Sequence, residues 1–220
     1  MRYEIKIPIS EKNLLLFYNW RDSIKGLKKV HQDRKVNSIY YDEKNLTFAN
    51  DNLIGVSGRV KTRLRWYNNE DNFAYEFKFK KNKIGNKIIL PSNQSLVKIS
   101  FDKAFINKNY EFKSNPHKKK VLDITSKYNL KPIVKVVYNR SYYEFMKKIR
   151  LTFDTPSEFQ VFSNNSFRSI KKDTLFVLEL KFHPNNYFLA QKLLGQSQFV
   201  PKRFSKYLRG LAINNLANYI

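Results

Sequence analysis

Between Arg59 and Trp66 the chain reads RVKTRLRW, and no other stretch restricts the fold so tightly. As a strand it sends Arg59, Lys61, Arg63 and Arg65 to one side and Val60, Thr62, Leu64 and Trp66 to the other. Same-side neighbours lie about 7 Å apart, so each adjacent pair of cations repels by roughly 2 kcal/mol at an effective dielectric near 20. A face built this way asks for an anion.

The pattern recurs along the chain. Glu4 and Lys6 share a face against Ile5 and Ile7, and Glu76, Lys78 and Lys80 share one against Phe77 and Phe79. Glu179 and Lys181 oppose Leu178, Leu180 and Phe182; Arg140 lies with Tyr138 and Tyr142; Arg150 lies with Thr152 and Asp154 against Leu151 and Phe153. Period-two segments rich in β-branched and aromatic residues predict strands over 2–9, 37–42, 58–67, 73–81, 95–101, 132–145, 148–154 and 174–182. Helical spacing predicts helices over 11–27, 184–195 and 206–220, with a shorter one over 121–129; residues 82–120 read as polar, basic loops with one strand and room for a short helix. The mixture is that of an α+β domain spanning 1–220.

Two arrangements satisfy these two-faced strands. The ionic faces could form the wet side of an open sheet, or the sheet could close into an antiparallel barrel whose ionic faces line a lumen, with helices packed on the outside. Solvated faces seldom place Arg or Lys at nearly every site, which favours the lumen. Such a lining is prohibitive when empty and favourable around condensed phosphate, whose oxygens accept charge-assisted bonds from Arg while Lys adds point charge. The carboxylates Glu4, Glu76 and Glu179 either neutralise neighbouring lysines or supply one ligand to a divalent cation.

Composition narrows the partners. A formal net charge of +24 calls for a polyanion, although the general richness in Lys and Asn accounts for part of that excess. There is no cysteine, which excludes disulfides and thiolate metal sites. No apolar run approaches the ~18 residues a membrane span needs and the N-terminus has no apolar signal region, so a soluble, cytoplasmic protein is expected. His31, His117 and His183 stand apart, with neither metal-ligand spacing nor a nucleophile beside them, and there is no phosphate-binding glycine loop. Nucleic acid ranks last among the polyanions, because Trp66, Phe77, Phe79, Phe153 and Phe182 alternate onto the apolar face; Tyr138, Tyr142 and Tyr207 are the exceptions.

The ordered set YEIK, NSIYYDEKNL, GRVKTRLRWY, YEFKFKK, YNRSYYE, IRLTFDT, VLELKF and FSKYLRG resembles the catalytic domain of the vacuolar transporter chaperone (VTC) polyphosphate polymerases. These belong to the triphosphate tunnel metalloenzymes, relatives of the CYTH proteins. The resemblance runs from Arg2 to about Gly210 and implies a closed antiparallel barrel of about eight strands holding a triphosphate or a growing polyphosphate chain. It implies phosphate contacts from Lys6, Lys61, Arg63, Arg65 and Lys78, from Tyr138, Arg140 and Arg150, and from Arg203, Ser205 and Lys206. Glu179 would hold Mn²⁺ or Mg²⁺, while Lys181, Lys80 and Arg59 join these faces by periodicity. Lys6, Arg63, Arg65, Lys78, Arg140, Arg150 and Glu179 would carry catalysis.

The implied reaction moves the terminal phosphate of ATP, or of another nucleoside triphosphate, onto polyphosphate. A tunnel triphosphatase or a non-catalytic binder of polyphosphate or of a phosphorylated polymer are the alternatives. The eukaryotic polymerases carry a regulatory SPX domain and membrane helices; this chain resembles the short bacterial members, for which neither is expected, so coupling to a membrane would need a membrane-protein partner.

Overall fold

The computed structural model describes residues 2–81, 84–92, 95–96, 101 and 118–217. In chain order it runs β1 (Tyr3–Ser10), a 3₁₀ turn (Glu11–Asn13), α1 (Leu14–Ser23), β2 (Leu27–Asp42), α2 (Thr47–Ile54), β3 (Arg59–Tyr67), β4 (Phe73–Lys81), β5 (Ile84–Pro91) and α3 (Lys118–Lys127). It continues through β6 (Lys131–Phe145), β7 (Ile149–Asp154), β8 (Glu158–Ser163), β9 (Ser166–Lys172), β10 (Leu175–Phe182), a second 3₁₀ turn (Pro184–Asn186), α4 (Tyr187–Gly195) and α5 (Lys206–Ile213). Within the described residues the long alternating segments form strands. The strand expected over 95–101 lies outside the described residues apart from 95, 96 and 101.

The α+β class holds, with ten strands in a sheet of order β1-β10-β7-β6-β2-β3-β4-β5, from which β8 branches at β6 and carries β9. The closed barrel is corrected: the hydrogen-bonded path is open, ending at β1 and β5, which do not pair with each other among the described residues. β1 spends its whole length on β10, Tyr3 opposite Phe182 through Ser10 opposite Leu175. Alternation decides which residues share a face, and that is identical in an open and a closed sheet. Carboxylates within the ionic face meet its cations, so the alternation does not require closure.

The chain divides into two compact units. The first comprises Met1–Lys35, Val137–Glu158 and Lys172–Lys206. The apolar sides of β1, β10 and β7 present Ile7, Ile9, Leu178, Leu180, Leu151 and Phe153 to Phe17 and Trp20 of α1 and to Ala190 and Leu193 of α4. Phe17 stacks on Phe153 at 3.9 Å, and Trp20 Nε1 donates to the Leu193 carbonyl at 3.3 Å. Each large side chain buried here contributes about 1.5–3 kcal/mol. Beyond α1, Gly26 takes φ +88°, a left-handed turn that returns the chain into β2.

The second unit comprises Val36–Val136, Phe159–Lys171 and Tyr207–Ile220. Its core sets Ile39, Leu64, Phe77, Phe79, Ile88 and Leu90 of β2–β5 against Phe48 of α2 and Val121 and Ile124 of α3. Helix α5 packs through Gly210, where a Cβ would lie 2.7 Å from the Phe159 ring. Among the described residues no helix is long and apolar enough to cross a membrane.

Candidate functional site

The ionic face of the first unit is a lattice laid out by strand register. One row runs Glu4, Lys181, Arg150, Glu144 across β1, β10, β7 and β6; the next runs Lys6, Glu179, Thr152, Tyr142; a third places Val177, Asp154 and Arg140 side by side. Directly opposed residues have Cβ atoms about 5 Å apart, so opposite charges meet and stabilise the sheet.

Glu179, with 8% of its side chain exposed, pairs through Oε1 with Lys181, and Lys6 Nζ lies 4.0 Å from Oε2. Burial alone would raise the Glu179 pKa, but Lys6, Lys181 and Arg140 overcome this and hold it well below the usual carboxylate range. Lys6 Nζ also lies 3.2 Å from Glu4 Oε1 and donates to the Phe204 carbonyl at 3.3 Å. This ties the segment holding Arg203 and Ser205, just before α5, to β1.

Asp154 is the second centre. It is wholly buried and accepts a fork from Arg140, Nε at 2.6 Å and Nη2 at 2.8 Å, together with Lys206 Nζ at 2.7 Å. Burial works against its ionisation; Lys206 and Arg140 prevail and lower its pKa. Both cations also lie over the Tyr138 ring, Arg140 at 5.3 Å and Lys206 at 4.5 Å.

The second unit holds Lys61, Arg63, Arg65 and Lys78. Register sets Tyr40 opposite Arg63 and Arg63 opposite Glu76, while Lys61, Lys78 and Lys87 form one row across β3, β4 and β5, and Arg59 faces Lys80. Glu76 is 5% exposed. It receives Arg63 through Nε and Nη2, both at 2.6 Å, Lys87 on its other oxygen, and Arg65 Nη1 at 3.9 Å. Burial pushes the Glu76 pKa up, yet Arg63, Arg65 and Lys87 together drive it far below the usual range.

The guanidinium groups are further oriented by hydroxyls. Tyr40 accepts from Arg63 Nη1 at 3.1 Å, and Ser38 accepts from Arg65 Nε at 3.0 Å. Tyr207 stacks on Tyr40 at 5.0 Å and donates to Asp42 at 2.8 Å. Asp42 in turn accepts the Phe48 and Ala49 amides, each at 2.9 Å, fastening the start of α2.

Lys87 is the residue that sequence reasoning missed. It lies on β5 in a stretch read as loop, and exposed Ile89 on its face breaks the alternation that marks the other strands. Burial and the neighbouring Arg63 and Arg65 pull its pKa down to about 8 despite the opposing pull of Glu76. The histidines have no place in either lattice: His183 Nδ1 accepts from the Asn185 amide, the His31 ring meets Tyr142 edge-on, and His117 lies outside the described residues.

A metal would find one carboxylate rather than a cage. Among the described residues there is no cluster of three or more His, Asp or Glu placed to hold a cation. Glu179 beside Lys6 and Lys181 fits a cation that arrives with phosphate oxygens as its other ligands, the usual manner of Mg²⁺ binding.

The VTC domain model matches residues 2–215. No protein with a curated description matched. Among solved structures, the chain is similar to HpAC1 from Hippeastrum, an assigned adenylyl cyclase that reveals a dominant triphosphatase activity (TM-score 0.56, 11% identity, 96% of each chain). It is also similar to the PH1819 protein of Pyrococcus horikoshii (TM-score 0.51, 13% identity, 97% of this chain and 98% of that one). A protein of Vibrio parahaemolyticus assigned as an adenylate cyclase matches as well (TM-score 0.50, 12% identity, 94% of this chain and 95% of that one). At such identities the likeness is one of fold alone. The family match covers nearly the whole chain, and the protein belongs to the VTC domain family.

Proposed function

We propose that the chain is a phosphotransferase of the polyphosphate-polymerase kind, moving the terminal phosphate of ATP onto a polyphosphate chain in the cytoplasm. The observation that carries this reading is the convergence of Lys61, Lys78 and Lys87, opposed on neighbouring strands, beside Arg63 and Arg65, with Glu76 as the carboxylate that reaches Lys87. Like charges directly opposite destabilise a sheet, and a phosphate chain lying along the row turns that repulsion into attraction.

Arg63 and Arg65 present guanidinium groups already aimed by Tyr40 and Ser38, so little ordering is left to complete when phosphate arrives. Lys6, Lys181 and Arg150 supply a corresponding set in the first unit. Asp154 takes only part of the donor capacity of Arg140 and Lys206, and their remaining N–H groups can meet phosphate oxygens. Glu179 would hold Mn²⁺ or Mg²⁺, which when bound supplies charge neutralisation across phosphate oxygens. No side chain need act as general base, because the attacking end of a polyphosphate chain is already ionised.

The activity of HpAC1 favours a second reading, a triphosphatase on the same face. Incubation with ATP and Mn²⁺ separates the two. Long phosphate chains digestible by exopolyphosphatase support the polymerase; ADP with free phosphate and no chain replaces it with the triphosphatase. Tight tripolyphosphate binding without turnover of any triphosphate leaves only a binder.

A further inference from the structure

Thr152 sits in the middle of the first unit's ionic lattice, between Glu179 on β10 and Tyr142 on β6. Its hydroxyl is buried and has no hydrogen-bond partner in the structure. Glu179, its direct cross-strand neighbour, is engaged instead by Lys181 and Lys6. A valine would fill the same volume, suit the strand equally well and avoid a buried polar atom with nothing to bond. Folding alone therefore gives no reason for a hydroxyl here. The surroundings do: Arg150 and Lys181 form the adjoining row on one side, and Arg140 is on the other. Cations attract a phosphate from many directions, whereas a single neutral donor in a strand's rigid frame selects one oxygen.

We propose that the Thr152 hydroxyl donates a hydrogen bond to a phosphate oxygen of the bound polyanion, making it a binding residue of the phosphate site. The proposal rests on the phosphate-chain reading. It makes two demands that a structural role would not make together: removing the hydroxyl should weaken ligand binding and strengthen the ligand-free protein.

Calorimetry with tripolyphosphate, in buffer containing EDTA, compares wild type, Thr152→Val and Thr152→Ser, and thermal melts of each are recorded without ligand. Thr152→Val should bind about tenfold more weakly, the scale of one hydrogen bond to a charged group, and should melt about 2–4 °C higher. Thr152→Ser should bind like wild type. The proposal is overturned if Thr152→Val binds as wild type does, or melts lower without ligand. A loss of affinity seen only when Mn²⁺ replaces the EDTA overturns it too, assigning the hydroxyl to the cation's water instead. Wild type that fails to bind tripolyphosphate removes the phosphate reading as well; equal binding by wild type and Thr152→Val removes this one alone.

Discussion

Glu76→Gln separates the two roles a carboxylate can have among cations. Glu76 is almost fully buried, and it is the carboxylate on which Arg63, Arg65 and Lys87 converge. Removing its charge takes the carboxylate from Arg65, itself only 7% exposed and bonded to Ser38, and from Arg63, bonded to Tyr40. Breaking a buried pair from one side costs about 3–5 kcal/mol. Glutamine keeps one acceptor oxygen, and Lys87 is 39% exposed and stays partly hydrated, so the lower end, about 3 kcal/mol, applies. For a chain of this size that is roughly 6–12 °C in Tm. If Glu76 is the resident counter-ion of a phosphate site, a polyanion should do its work. Tripolyphosphate at about 100 times its Kd returns about 2.7 kcal/mol, which brings the variant near wild type. Wild type, in which Glu76 already meets Arg63, Arg65 and Lys87, should gain less. The assay is a thermal melt of both proteins with and without tripolyphosphate at about 0.1 M salt, where screening is moderate. An unchanged Tm for the variant, or a larger ligand-induced shift in wild type, refutes the counter-ion role.

The other predictions use the same ligand. Glu179→Gln should abolish Mn²⁺-dependent turnover while binding metal-free tripolyphosphate at least as tightly as wild type, because Lys6 and Lys181 are released; equal loss of binding in calorimetry argues against the metal role. Lys87 titrates at about 8, so tripolyphosphate affinity should fall as pH rises from 7 to 9, and Lys87→Met should flatten that profile. The same depressed pKa means the folded chain sheds this proton before the unfolded one does, so the group's contribution to stability rises with pH between about 8 and 10.5. Lys206→Met leaves wholly buried Asp154 with Arg140 alone and should cost about 3–5 kcal/mol, a melt that tripolyphosphate does not restore.

What the sequence made legible was the set of two-faced strands. β3, β4 and β10 alternate so cleanly that their faces follow from the residues alone, and the structure keeps each residue on its expected side. The first half of β2 escaped because nearly every residue from Lys28 to Lys35 is exposed, leaving no apolar row to detect. β9 escaped for the same reason. Helix α2 is anchored by Asp42 several residues upstream and by Tyr207 from the far end of the chain, contacts that no local pattern contains. Barrel closure does not follow from alternation, because repulsion between cations along a strand is offset by carboxylates on neighbouring strands.

That attraction also ranks the candidate residues. Glu76 stands two residues from Lys78 in the sequence, yet its bonds go to Arg63, directly opposite on β3, and to Lys87, diagonal to it on β5. Asp154 read as one member of a charged face and is in fact the anion that holds Arg140 and Lys206. The rows of the first unit nearly balance, Glu4 and Glu144 flanking Lys181 and Arg150, and Lys6 opposing Glu179. The row Lys61–Lys78–Lys87 sets three cations opposite one another, with Glu76 reaching Lys87 from the neighbouring row, and Arg59 faces Lys80. The requirement for an external anion, inferred at first from every strand, therefore concentrates on β3, β4 and β5. In the first unit a phosphate must compete with carboxylates already in place, so substitutions on β3–β5 should dominate affinity, whereas those around Glu179 and Asp154 should act more on turnover and stability.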